Sequence, residues 1–277
     1  MWLIKGKGLR RYREWLAAWV LLVAHSSGLA HDAAVNYLAN EAVLLQLDNR
    51  KVLFDPFFHN DFGHYQKVPE KFRQAIFLGE PPYNDIDIIF ISHAHEDHFS
   101  AVDVARYLAQ YPQTQLVAPQ QAVTQLQAMA DYAKIESQLH PVALLKDQAP
   151  QSLSVADLAI SAVRIPHAGW PARAEVENIV FYVRNDNISA LHFGDADPQM
   201  AHFNVHKNYF KQLAVNLALP PYWFLIQAQG VAILQQVIKP QKTIGIHVPI
   251  AVPDALILSG YDYFSISGQQ QPIPHKH

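Results

Sequence analysis

The 277-residue chain is 50% hydrophobic and 16% charged, with 12 Tyr, 14 Phe and 5 Trp, enough apolar side chain for one large globular domain. Its formal net charge is −3 and it has no cysteine, which excludes disulfides, thiolate metal sites and thiol nucleophiles together. Five of the 21 basic and one of the 24 acidic residues lie in residues 1–30, so the remainder stands near −7, a charge that repels phosphate backbones and disfavours nucleic acid as a partner.

The first thirty residues differ from the rest. Lys5, Lys7, Arg10, Arg11 and Arg13 form a basic start, Leu16 to Ala24 an apolar run, and His25 to Ala30 a stretch with small residues at Gly28 and Ala30. This three-part pattern predicts a signal peptide over 1–30, cleaved after Ala30, leaving one domain over 31–277 in the periplasm or outside the cell. The apolar run is about half of the roughly 20 residues needed to span a bilayer, so no stable membrane insertion is expected after cleavage.

The mature chain opens with predicted strands at Val43–Leu47 and Val52–Phe54 around the turn Asp48-Asn49-Arg50-Lys51. A loop with His59, Asn60, Asp61, His64 and Tyr65 leads to a helix over Pro69–Leu78, with Pro near its start. A short β-branched run, Ile86–Ile91, reads as a buried strand, and Phe99–Leu108 as the start of a helix. Further on come a strand at Gln115–Ala118, an amphipathic helix over Gln120–Ala133, and alternating strands within Leu153–Ile165. A strand pair, Asn178–Arg184 and Ser189–Phe193, follows, then helical stretches near Phe203–Leu213 and Val231–Ile238 and a last core strand at Thr243–Val248. The polar tail, Gly268–His277, with two prolines, reads as a loose end.

Between the buried strand and its helix stands His93-Ala94-His95-Glu96-Asp97-His98. Three histidines and an aspartate at a strand end serve no packing need, and their nitrogens and carboxylate suit zinc, and also iron or manganese. Three more candidates sit at the ends of predicted strands: His167, Asp195 after Gly194, and His247. Seven such groups suit two metals sharing a bridge. His192 lies on the same strand as the approach to Asp195, but alternation points it away from the Asp195 side.

The pattern His93-x-His95-x-Asp97-His98, then His167, Gly194-Asp195 and His247, resembles the metallo-β-lactamase-fold hydrolase superfamily over residues 36–249. The resemblance implies an α/β (α+β) architecture: a four-layer αββα sandwich of two mixed β-sheets flanked by helices, with metals at one edge. It implies that His93, His95 and His167 hold one divalent ion, that Asp97, His98 and His247 hold a second, and that Asp195 bridges them. Zinc is the first expectation, with Mn2+ or Fe2+ as alternatives. Asp97 and Asp195 are the expected catalytic carboxylates, beside a metal-bridging hydroxide. Asp55, in Leu53-Phe54-Asp55-Pro56, either orients a ligand or is a turn residue. Tyr222 and Trp223, in a Pro-rich aromatic segment, either line the substrate pocket or pack.

Within the superfamily, the chain is most similar to the lactonase and phosphodiesterase-like branch that includes ascorbate-6-phosphate lactonases and N-acyl-phosphatidylethanolamine phospholipases. The implied activity is hydrolysis of a small ester, lactone, amide or phosphodiester. Histidine at position 95, where the di-iron redox branch has Glu, favours hydrolysis over redox chemistry, and the aspartate at 195 disfavours a true β-lactamase. A non-catalytic metal carrier on the same fold is the reading from another class. The sequence leaves the oligomeric state open.

Overall fold

The computed structural model describes Trp2 and residues 33–275. Apart from Trp2, the expected signal segment lies outside the described residues. No helix among them is long and apolar enough to cross a membrane.

The first sheet begins with β1 (Ala34–Ala39), β2 (Ala42–Leu47) and β3 (Arg50–Phe54), an antiparallel meander. It continues in parallel through β4 (Ile88–Phe90), β5 (Gln115–Pro119) and β6 (Leu139–Val142). The second sheet holds β7 (Gln151–Val155), β8 (Leu158–Arg164), β9 (Ile179–Asn185) and β10 (Ile188–His192), paired antiparallel in that order. It ends in parallel pairings with β11 (Leu217–Leu219), β12 (Lys242–Gly245) and β13 (Asp262–Tyr263). Both sheets are therefore mixed, and among the described residues each has seven strands.

Side-chain alternation sorts the apolar residues into three layers. Val52 and Phe54 of β3, Ile88 and Phe90 of β4, and Ile179, Phe181 and Val183 of β9 meet between the sheets. Phe54 stacks on Phe90 with centroids 4.6 Å apart, and Phe90 lies 5.1 Å from Phe181. Each fully buried side chain of this kind contributes about 1.5–3 kcal/mol. The opposite face of the first sheet, Leu53 and Ile89, packs on α1 (Glu70–Leu78), α2 (Ala101–Gln110), α3 (Gln120–Gln127) and α4 (Tyr132–Ile135). The outer face of the second sheet, Val180 and Tyr182, packs on α5 (Met200–Asn204), α6 (Lys207–Phe210), α7 (Trp223–Ile226), α8 (Ala228–Ile233) and α9 (Asp254–Ser259). The result is the expected αββα sandwich. Both sheet faces are covered, which is why β4 reads as a continuous apolar run rather than an alternating one.

Several elements differ from the sequence reading. The helix expected over Gln120–Ala133 stops at Gln127, and α4 follows after a turn. Leu126 and Ile135 are both buried in one cluster, yet nine residues of unbroken helix would place them about 180° apart. The break rotates Ile135 back to the core. The stretch near Phe203–Leu213 is likewise two short helices. The tail is ordered through its described residues: β14 (Gln270–Pro272) pairs antiparallel with β1, and Ile273 is buried between the sheets. Backbone pairing along β1 holds it, a contribution invisible in polar side chains. β1 itself, β6, β11 and β13 are short or lack alternation, and sequence patterning passes over them.

Candidate metal centre

All seven predicted ligands converge beyond the C-terminal ends of four strands: His93 to His98 after β4, His167 after β8, Asp195 after β10 and His247 after β12. The loop from Ile91 to Ser100 makes a tight turn, with the Phe99 amide donating to the His95 carbonyl at 2.9 Å, before Ser100 caps α2. Gly194 takes φ +53, and a Cβ there would lie 2.3 Å from Asn178 Oδ1 and 2.8 Å from Ser92 Cβ. Only glycine lets the chain pass this point, which is why the aspartate arrives as Gly-Asp.

The inward atoms form two trios around one carboxylate. His93 Nε2 lies 3.1 Å from His95 Nδ1, and His167 Nε2 lies 3.3 Å from Asp195 Oδ2. On the other side, His247 Nε2 is 3.1 Å and His98 Nε2 3.5 Å from Asp195 Oδ1, and His98 Nε2 is 3.4 Å from Asp97 Oδ2. One Asp195 oxygen thus faces each trio. The Nε2 atoms of His98, His167 and His247 and Oδ1 of Asp195 are buried without a hydrogen-bond partner. Tetrahedral ligands with bonds of about 2.0–2.1 Å stand about 3.3 Å from each other. The donor set and its spacing therefore fit two divalent ions, whereas unfilled buried lone pairs at these distances would only cost stability.

The outward nitrogens of His93, His98 and His167 are held. His98 Nδ1 donates to Asp55 Oδ2 at 3.0 Å, and His167 Nδ1 donates to the Ala168 carbonyl at 2.8 Å. His93 Nδ1 donates to Ser92 Oγ at 3.0 Å, and that hydroxyl donates to Asp55 Oδ2 at 2.5 Å. These bonds select the tautomer that leaves each Nε2 free to ligate. Asp55 sits in a turn at φ 42, and its carboxylate accepts from His98 Nδ1.

Charge in this cluster is strongly coupled. Burial, then the neighbouring His98, hold the His93 imidazole well below its ordinary range. Burial also opposes charge on His98, but Asp195 and Asp97 outweigh it and hold that imidazole well above. Burial pushes Asp195 up, and His247 and His98 overcome it to hold the carboxyl well below.

Several supporting residues escaped the sequence reading. Asn40, in the β1–β2 turn at φ 50, donates through Nδ2 to the Asp97 carbonyl at 3.0 Å, and its own carbonyl accepts from the His247 amide at 2.9 Å. It ties two ligand loops to one hairpin. The apolar runs on either side of Asn40-Glu41 were the available signal. Asn178 does the same for the other side: Oδ1 accepts from the Asp195 amide, and Nδ2 donates to the Ile165 and Phe193 carbonyls. Glu41 is fully buried with neither carboxyl oxygen hydrogen-bonded, and burial followed by repulsion from Asp195 holds its pKa well above the usual range. His192 stacks on Phe54 at 4.4 Å, and its Nε2 donates to the Glu41 carbonyl at 3.0 Å.

A cavity of about 600 Å³ opens over the cluster, lined by His95, Asp97, Asp195 and His247 together with Phe62, Tyr65, Phe99 and Arg173. Tyr65 stands edge-on to His247 at 4.1 Å. The loop at 59–65 does overhang the site. Tyr222 and Trp223 do not line this cavity. They line a neighbouring cleft with Asp197 and Gln199. Trp223 lies 5.2 Å from His247 and donates through Nε1 to the Ala196 carbonyl at 3.0 Å, so it supports two ligand loops from behind.

Residues 34–217 match the family model described as a beta-lactamase superfamily domain. No significant match to a curated protein was found. Among solved structures, the chain is similar to Igni18, a metallo hydrolase from Ignicoccus hospitalis, at 15% identity and TM-score 0.58, covering 88% of this chain and 99% of that one. It is similar to an isothiocyanate hydrolase from Delia radicum gut bacteria at 14% identity and TM-score 0.55, covering 88% and 100%. It is also similar to CmlA, a diiron β-hydroxylase from Streptomyces venezuelae, at 13% identity and TM-score 0.55, covering 87% of this chain and 54% of that one. By the extent of the family match, the chain belongs to the beta-lactamase superfamily and carries a metallo-hydrolase fold with candidate metal-binding His/Asp clusters.

Proposed function

We propose that the protein is an exported, dinuclear metal-dependent hydrolase acting on a small ester, lactone, amide or phosphodiester. The observation that carries this reading is Asp195, whose two oxygens face two separate histidine-rich trios with unfilled lone pairs. When bound, two divalent ions, zinc first, supply an activated water and polarise the scissile carbonyl or phosphoryl group. His93, His95 and His167 would hold one ion, and Asp97, His98 and His247 the other. Asp195 would hold the pair together and, with Asp97, offers carboxylate oxygens to accept the attacking water's proton. The cavity walls would orient the substrate over the two trios. Export rests on the basic, apolar and small-residue order of residues 1–30 and on the absence of cysteine.

The test is metal content of the purified protein, wild type and Asp195→Asn, beside hydrolysis of a lactone, a bis-aryl phosphodiester and a β-lactam. Two metals per chain, with turnover that collapses in the variant, supports the reading. One metal or none, with no turnover, points instead to a carrier. Iron with reversible absorbance changes on reduction points to redox chemistry.

A further inference from the structure

The cavity over the metal ligands is polarised. On the side of His247, loop 59–65 contributes Phe62 and Tyr65, and Phe99 adds a third aromatic side chain to the lining. Glu96 belongs to this side too, its carboxylate accepting from Asn60 Nδ2 at 2.9 Å. On the side of His167 stands Arg173, the one cationic Lys or Arg side chain in the lining. Arg173 has no carboxylate within ion-pair distance among the described residues. Its nearest polar contact is a marginal one, Nη1 to the Ala168 carbonyl at 3.5 Å. That carbonyl is the one that orients His167, so the guanidinium hangs one residue from a ligand of the first metal.

Its backbone is prepared for the task. The Ala168 amide donates to the Asp195 carbonyl at 2.7 Å, and the Val176 amide donates to the Arg173 carbonyl at 3.2 Å. Beyond it, Gln121 clasps the loop: its amide accepts from the Glu177 backbone at 3.0 Å and donates to the Glu175 carbonyl at 2.7 Å. The arm also lies over Gly169, with Cδ 3.7 Å from where a Cβ would stand. An unpaired guanidinium on an anchored loop, at the mouth of a cavity, is a fork for a planar or tetrahedral anion.

We propose that Arg173 is a specificity-determining residue, and that the substrate is a small molecule carrying an anionic group, carboxylate or phosphate, beyond the scissile bond and an aryl or alkyl part on the other side. The anion sits at Arg173 on the His167 side. The apolar part sits against Phe62, Tyr65 and Phe99. Glu96 repels the anion from that aromatic side, so the charge pattern fixes one orientation across the two metal trios. A volume of about 600 Å³ suits a ligand of this size.

The turnover arm of the test rests on the hydrolase reading, and the binding arm does not. Turnover is measured with 4-nitrophenyl esters of succinate, of 3-phosphonopropanoate and of butyrate, which share a leaving group. The expected result is a higher kcat/KM for an anionic ester than for butyrate, and a collapse of that ratio by about tenfold or more in Arg173→Gln, with metal content equal to wild type. The more favoured of the two anionic esters names the anion. An unchanged ratio in the variant overturns the proposal. Binding is measured calorimetrically with 3-phenylpropanoate and its neutral amide on the zinc-loaded proteins. Carboxylate affinity should fall at least about fivefold in Arg173→Gln, with no matching loss for the amide. Equal carboxylate affinity in both proteins, or no binding to wild type, overturns the proposal. Binding that depends on Arg173, without turnover of these esters or of the lactone, phosphodiester and β-lactam above, keeps the anion site and sinks the hydrolase reading alone.

Discussion

Two clusters of carboxylates and imidazoles lie side by side in this molecule and have opposite fates. In one, His93, His95, Asp97, His98, His167, Asp195 and His247 aim nitrogens and oxygens inward, several of them buried and unpartnered. In the other, Glu41, Asp55 and His192 are equally close and equally buried. There, however, Asp55 already accepts from the Ser92 amide, the Ser92 hydroxyl and His98. His192 already donates to the Glu41 carbonyl and accepts from the Gly194 amide. The residue types match those of a metal site, but the lone pairs of Asp55 and His192 are taken, and only the Glu41 carboxyl is left without a partner. What separates a metal site from a buried polar scaffold is the direction and occupancy of the donor atoms, not the presence of His and Asp.

The largest effect should come from the first cluster. Asp195→Asn removes the charge facing both trios, and turnover should drop roughly a thousandfold with loss of at least one metal per chain. Elemental analysis and single-substrate kinetics check it, and a variant that keeps both metals and activity would break the contrast. Asp55→Ala, at the border of the two clusters, should weaken metal binding about 10–100-fold, read by competition with a chelator. His192→Phe tests the second cluster directly. It strands the Glu41 carbonyl without a donor and should cost about 1–3 kcal/mol in denaturant unfolding, with metal content unchanged. Loss of a metal in that variant would merge the two clusters into one.

The smallest and most diagnostic effect concerns Glu41 in metal-free protein. Burial, then Asp195, holds its carboxyl well above the ordinary 4.5, so the folded chain binds that proton more tightly than the unfolded chain. The stability this contributes is present below the unfolded value and is lost as pH rises through the folded one. Glu41→Gln should therefore match wild type in Tm near about pH 4 and exceed it by a few degrees near about pH 8. Equal melting across the range would show that Glu41 finds a partner in solution. Away from both clusters, Phe181→Ala should cost about 3–5 kcal/mol of stability through the cavity it leaves between the sheets.

Much of the site was legible because ligation demands rare residue types at strand ends. His93-x-His95-x-Asp97-His98 is local, and Gly194-Asp195 is marked by the glycine its backbone requires. Elements with strong patterning, such as β2, β3, β9 and α2, were also legible, the strands as short apolar runs bounded by polar turns and the helix by its period. Asn40 and Asn178 were not, because an asparagine that ties two distant loops looks like any turn asparagine until both loops are present. The ordered tail shows the same limit, since β14 is held by backbone hydrogen bonds that carry no side-chain signature. Tyr222 and Trp223 face a neighbouring cleft for a related reason: aromatic character predicts burial, not which cavity is shared.

From sequence alone, then, came the candidate ligands, written in short-range spacing, and the family resemblance, which implied the two-sheet architecture. Only the tertiary structure decided that Asp195 turns one oxygen to each trio, that Asp55 serves His98, and that Arg173 shares a cavity with Tyr65. Those facts depend on the relative placement of residues tens to more than a hundred positions apart, which the closing of two sheets onto one core sets and no local pattern records.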